Sequence, residues 1–163
     1  MKQRIGMLAI VTLLAACSNS GNAPVSQPAQ QGAFALQSQS VPGAGEQRVT
    51  LHALSTAGTI ITVVGQLNYD TTRLTMKGCE VSSAGAAAGK QLNVAEPRPG
   101  LVRAVVVGGL QPLPDGSDVL TCTFAPAPGA PAGPVPVHAE GNVSDMSFVA
   151  RPFVAEGTVD VGN

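Results

Sequence analysis

The sequence predicts an all-β fold, an antiparallel β-sandwich over residues 46–163, on three observations. Apolar residues recur there with a period of two, Gly and Pro clusters interrupt them at short intervals, and the stretch from Glu46 to Val161 is about 115 residues, the size of one domain with its own core. In 59–69, Ile61, Val63, Leu67 and Tyr69 fall on one face and Thr62, Gln66 and Asn68 on the other, with Val64 the single break in the alternation. Strands are expected at 48–54, 59–69, 73–77, 101–107, 117–124, 135–138, 146–150 and 157–161. Gly108-Gly109, Pro112-Leu113-Pro114-Asp115-Gly116 and the Pro/Ala/Gly stretch 125–134 supply turn conformations between them. The one helical segment expected is the alanine run 84–88, too short to be stable alone.

The first 45 residues have a different texture. Lys2 and Arg4 precede an apolar run from Ile5 that closes on Leu14-Ala15-Ala16-Cys17. A positive start, an apolar stretch too short to span a bilayer and small residues at the cut describe a secretory signal. With Cys immediately after the small pair, this looks like a bacterial lipoprotein signal. The resemblance implies removal of 1–16 and attachment of lipid to Cys17 as the mature N-terminus. Lipid is then the membrane partner, and a diacylated Cys17 stays on its membrane, because burying acyl chains yields about 0.8 kcal/mol per CH₂. Ser18 after the Cys implies, by the same family's rule, the outer membrane where the source has one. Residues 17–45 are expected to comprise the lipidated Cys and a flexible tether of Ser, Asn, Gly, Gln, Pro and Ala, with Phe34 and Leu36 solvated. A chain of that kind holds the folded part on the order of 25–30 Å from the lipid.

Removing 1–16 takes away Lys2 and Arg4, leaving 7 basic against 10 acidic residues, a net charge of 7 − 10 = −3. A mildly acidic surface without a Lys/Arg cluster lacks the main source of affinity for nucleic acid, so none is expected as a partner. With Cys17 committed to lipid, Cys79 and Cys122 remain in an exported chain, where disulfides persist. Cys122 shares strand parity with Leu120 and Phe124 and points inward. Cys79 is out of phase with Leu74 and Met76 by one residue, which a bulge at Gly78 would restore. A Cys79–Cys122 bond is therefore expected; closing a separation of 122 − 79 = 43 residues, it is worth roughly 4 kcal/mol in the loop-entropy model.

The string Val64-Gly65-Gln66-Leu67-Asn68-Tyr69-Asp70-Thr71-Thr72-Arg73-Leu74, then Leu113-Pro114-Asp115-Gly116, Leu120-Thr121-Cys122-Thr123-Phe124, Gly129-Ala130-Pro131-Ala132-Gly133 and Gly157-Thr158-Val159-Asp160-Val161, is similar to the cohesin domain. The resemblance covers nearly all of 46–161. It implies a jelly-roll sandwich of about nine strands, a fold shared with certain carbohydrate-binding modules. It also gives structural roles to Tyr69, Asp70, Leu74, Asp115, Gly116 and Phe124: core positions for Tyr69 and Leu74 around a turn, and a turn start for Asp70, whose carboxylate caps backbone N–H groups. Cellulosomal cohesins grip a dockerin helix pair on an exposed sheet face that includes the strand ending in Tyr-Asp. Here Thr62 and Val64 stand at positions where that family commonly carries Asn and Asp, so Thr62, Val64 and Gln66 mark the candidate interaction face, with a partner of different chemistry.

Function is thus expected to be non-catalytic: a membrane-anchored cell-envelope lipoprotein whose cohesin-like domain recognises a protein or takes part in envelope assembly, through a sheet face or edge. The alternative is a polysaccharide-binding module. Sugar binding usually uses exposed aromatic rings, whereas the chain has no Trp, one Tyr at a core position, and Phe124, Phe148 and Phe153 that read as core or near-core. His52 and His138 read as outward polar residues on strands with no nucleophile indicated beside them. Asp70, Asp115, Asp118, Glu140 and Asp145 read as solvated turn carboxylates without the alternating pattern of a Ca²⁺ loop, so no metal and no cofactor is expected.

Overall fold

The computed structural model describes residues 30–31, 33–54 and 57–162. Signal, lipidation and tether expectations for 1–29, Cys17 included, lie outside those residues. In chain order the elements are β1 (Gln30–Gln31), β2 (Phe34–Val41), β3 (Glu46–Ala53), β4 (Thr62–Asn68), β5 (Leu74–Val81), α1 (Ser83–Ala87), β6 (Gln91–Arg98), β7 (Leu101–Val107), β8 (Asp118–Pro126), β9 (Gly133–Ser144) and β10 (Ala150–Val161). They form two sheets face to face, a large one in the order β1-β10-β9-β4-β7-β6 and a small one in the order β2-β3-β8-β5. Every pairing is antiparallel except β1 with β10. The all-β sandwich expected from the sequence is the observed architecture. No helix among the described residues is long and apolar enough to cross a membrane.

Period-two alternation explains the core. Val63 and Leu67 on β4, Val102 and Val106 on β7, Val135, Val137 and Val143 on β9, and Val119 on β8 are all buried between the sheets. Phe124 and Phe153 are the largest fully buried side chains. The Gly78 bulge is present: the β5/β8 register shifts between Met76 and Gly78, which brings Cys79 directly opposite Cys122. The two are disulfide-bonded. The expected helix is also present, capped by Ser82, whose hydroxyl accepts from the Gly85 N–H at 2.9 Å.

Three expectations are corrected. The domain begins before residue 46: β2 pairs with β3 residue for residue from Phe34↔Ala53 to Val41↔Glu46. Phe34 is buried, not solvated, with its ring 4.6 Å from that of Phe153, and Leu36 packs against the core. An edge strand needs few apolar residues, because its neighbour supplies the hydrogen bonds and one of its faces stays wet; Phe34, Leu36 and Val41 among Gln, Ser and Ala therefore suffice. Second, 146–150 is not a strand. Asp145 accepts from Ser147 N–H through its carboxylate at 2.8 Å and from Phe148 N–H through its carbonyl at 2.9 Å, closing a turn that joins β9 to β10. Phe148, expected near the core, is 74 % exposed. Third, β6 was not expected. It is a mostly exposed edge strand, with Pro97 at the irregularity between Ala95 and Arg98.

Candidate functional site

The strand that ends in Tyr-Asp is β4, at the centre of the large sheet between β9 and β7. Val63 and Leu67 point inward, so Thr62, Val64 and Gln66 point outward, with Val64 47 % exposed. Register sets their neighbours. Val64 lies between Val105 and Asn142, and Gln66 between Arg103 and Glu140. Gln66 Nε2 donates to Glu140 Oε1 at 2.5 Å, which fixes both side chains flat against the sheet. The result is an open concavity of about 550 Å³ with Val64 and Val105 on its floor, and Gln66, Arg103, Glu140 and Asn142 supplying polar groups.

Backbone packing shapes that floor. Gly65 and Gly141 are register partners, and the Phe153 ring is packed against both. A Cβ on Gly141 would overlap the Val64 carbonyl oxygen and come within 2.6 Å of Gly65 Cα. The glycines let the ring sit directly beneath the two strands. Phe153 then contacts Phe34, so the outer face of β4 and β9 rests on the residue that the N-terminal strand brings into the core.

Along β9, the outward His138 lies opposite Glu156 of β10, with Nδ1 2.5 Å from its Oε1 and Nε2 3.7 Å from Glu140 Oε2. The hydrogen bond to Glu156 is the main cause that holds the imidazole above its ordinary range. On the small sheet, His52 Nδ1 meets Asp118 Oδ1 at 2.8 Å. Sequence reasoning placed both histidines outward but missed these carboxylates. The signal for one was present: a turn centred on Ser147 puts His138 directly across from Glu156. Both imidazoles are engaged by carboxylates, and the geometry is that of cross-strand hydrogen-bonded pairs. Among the described residues no three His, Cys, Asp or Glu side chains gather as a metal site.

The remaining motif residues lie around the turn after β4 and in the core. Tyr69 is half-buried, edge-on to Phe124 at 5.1 Å between centroids, and donates to Glu96 Oε1 at 2.6 Å. Burial first, and then Glu96, push its pKa up to about 12. Asp70 is exposed and accepts from Thr72 N–H at 2.8 Å and Thr72 Oγ1 at 2.7 Å, bonds that hold its carboxyl below the usual range. Leu74 and Phe124 are buried, and Asp115-Gly116 is an exposed turn with Gly116 at φ 66°. None of these six contributes to the outer face of β4.

The fold matches that of solved cohesins. The seventh ScaB type I cohesin of Pseudobacteroides cellulosolvens superposes with a TM-score of 0.61 at 15 % identity, covering 79 % of this chain and 90 % of that one. The OlpA cohesin of Clostridium thermocellum, solved in a cohesin–dockerin complex, gives 0.60 at 12 % identity, covering 79 % and 99 %. A non-cellulosomal cohesin of the archaeon Archaeoglobus fulgidus gives 0.62 at 8 % identity, covering 80 % and 91 %. No family model and no curated protein matches the sequence. The domain has the cohesin fold.

Proposed function

We propose that this chain is a lipoprotein of the cell envelope, held by lipid on Cys17, whose cohesin-fold domain binds a protein partner on the outer face of β4, β7 and β9. The observation that carries the reading is Val64: an exposed apolar residue at the middle of a concavity, surrounded by Gln66, Arg103, Glu140 and Asn142. An apolar centre with a polar surround is how protein-binding patches are built. That cohesins such as OlpA are found in complexes with dockerins supports the use of this fold for protein recognition. The Val64 floor favours an apolar contact here over the Asn and Asp chemistry that the family resemblance would have supplied. Ser18 after the lipidated Cys supports an outer-membrane address in a two-membrane envelope.

The test is capture from the source's envelope fraction with soluble residues 18–163, which retain β2, beside a Val64→Arg variant. The expected result is one stoichiometric protein held by the first bait and lost by the second. Polysaccharide held equally by both, with no protein, would replace this reading with the carbohydrate-binding one.

A further inference from the structure

The two ends of the sandwich differ in what they expose. Bonds between loops define one end: Ala53 N–H to Ser117 O, the Ile60–Leu113 bridge, Ile61 N–H to Ser144 O, and Lys90 Nζ to the carbonyls of Gly108 and Gly109. Of the seven exposed large apolar side chains among the described residues, Leu110, Met146, Phe148 and Val149 sit in loops of this end, while Val64, Val94 and Val107 lie on strands. The loops of the other end, 42–45, 69–73, 99–100 and 127–132, expose none. Phe148 is also the one non-glycine residue with positive φ among those described, at 57°. An aromatic residue there is strained, and the Asp145 turn holds it outward at 74 % exposure.

This is also the end at which the chain joins the domain. Gln30 pairs with Phe153, three residues from the start of β10 and next to the turn that carries Phe148. The residues between Cys17 and Gln30 number 12 (18–29); even a fully extended chain of that length reaches only about 40 Å. We propose that the tip made by Met146, Phe148 and Val149, with Leu110 on the same end, inserts into the outer layer of the phospholipid bilayer that holds Cys17. This inference rests on the lipidation reading above and adds a second, non-covalent attachment that fixes the domain's orientation. Three apolar side chains on one turn give a shallow, salt-independent contact with the interface. The large sheet's outer face would then stand side-on to the membrane, open to a partner.

The chain has no tryptophan, so Phe148→Trp creates a single tryptophan at the tip and Ala44→Trp one at the opposite end, each excited at a wavelength that Tyr69 does not absorb. Each full-length, acylated protein is reconstituted into vesicles of phosphatidylethanolamine and phosphatidylcholine with brominated acyl chains, and the mass of the N-terminal peptide is read in parallel. The expected result is blue-shifted, bromine-quenched emission from position 148, unchanged by added salt, and water-like, unquenched emission from position 44. Unquenched emission from position 148 in a protein whose Cys17 carries lipid and floats with the vesicles overturns the insertion and leaves the lipidation reading intact. An unmodified Cys17 overturns both. Quenching at 148 and 44 alike overturns the orientation. Emission at 148 that shifts only when envelope protein is added assigns the tip to a protein and overturns the lipid proposal. Far-UV circular dichroism of both variants shows that the fold is kept.

Discussion

The small sheet and the large sheet solve different problems with the same strand pattern. In the small sheet, β5 and β8 are covalently joined through Cys79 and Cys122, and Phe124 is fully buried beneath Tyr69. In the large sheet no covalent link joins the described strands. Its core contact, Phe153 beneath Gly65 and Gly141, depends on side chains that are absent, and its outer face carries the exposed Val64 and the hydrogen-bonded pair of His138 with Glu156. The lesson is a division of labour: both inner faces build the core, the small sheet is covalently braced, and the large sheet leaves its outer face free to present a surface.

The largest test of that division is removal of the disulfide. Cys79→Ser with Cys122→Ser releases a loop of 43 residues and is expected to lower unfolding free energy by about 4 kcal/mol. Urea denaturation checks it, and a loss comparable to a surface change would mean that the covalent brace adds little to the small sheet. Phe34→Ala comes next, at about 3 kcal/mol, the lower part of the usual range because an edge strand relaxes around the cavity. A negligible loss would return β2 to the tether. Gly141→Ala is expected to cost about 2 kcal/mol through overpacking against Val64 and Gly65. It should weaken partner capture as well, since the floor of the concavity must shift, whereas an alanine at the exposed Gly43, at φ 76°, meets no atom within 4 Å and strains only its own turn, so it should leave capture unchanged.

The smallest effect is electrostatic. Glu156 raises the His138 pKa in the folded state above its ordinary 6.5, so the pair's contribution is fully present below that value and fades as pH rises through the raised one. Wild-type stability should therefore decline slightly across that window, and Glu156→Gln should flatten the decline. His138 is partly exposed and Glu156 mostly so, at 36 % and 69 % of their side-chain surface, and solvent keeps the effect small. The Asp70 contribution runs oppositely, being present above its unfolded pKa and lost only as pH falls through the depressed folded value. The two windows do not overlap, which lets a single pH series separate the large sheet's pair from the turn after β4.

How much was legible in the sequence follows from how far apart the interacting residues are. The β4 alternation, the Asp70 turn, the short helix read from the alanine run 84–88 and the Gly78 bulge depend on residues within a few positions of one another, and each could be read locally. β2 and β6 could not, because an edge strand is specified by its partner's unpaired N–H and C=O groups more than by its own apolar content. Gly157 held a trace of β2, since a Cβ there would press on Leu36 Cβ at 2.6 Å, but only the structure shows what fills that space. Reading 146–150 as a strand displaced the centre of the β9–β10 hairpin and so hid the pairing of His138 with Glu156. The face around Val64, Gln66 included, was reached through its strand's parity, while Arg103, Glu140 and Asn142 beside it come from β7 and β9, up to about 80 positions along the chain, with their places set by register alone.

One consequence of β1 is mechanical. It runs parallel to β10, and β2 follows with Phe34 lodged against Phe153. A pull on Gln30 directed away from the domain, against a load held on the large sheet, acts along these strands and not across them. Their hydrogen bonds therefore share the force instead of parting one by one, and the aromatic contact behind them takes up what remains. The entry of the chain into the sandwich is therefore held in shear, by the parallel pairing of Gln30 and Gln31 with Phe153 and Val154 and by the Phe34–Phe153 contact behind it.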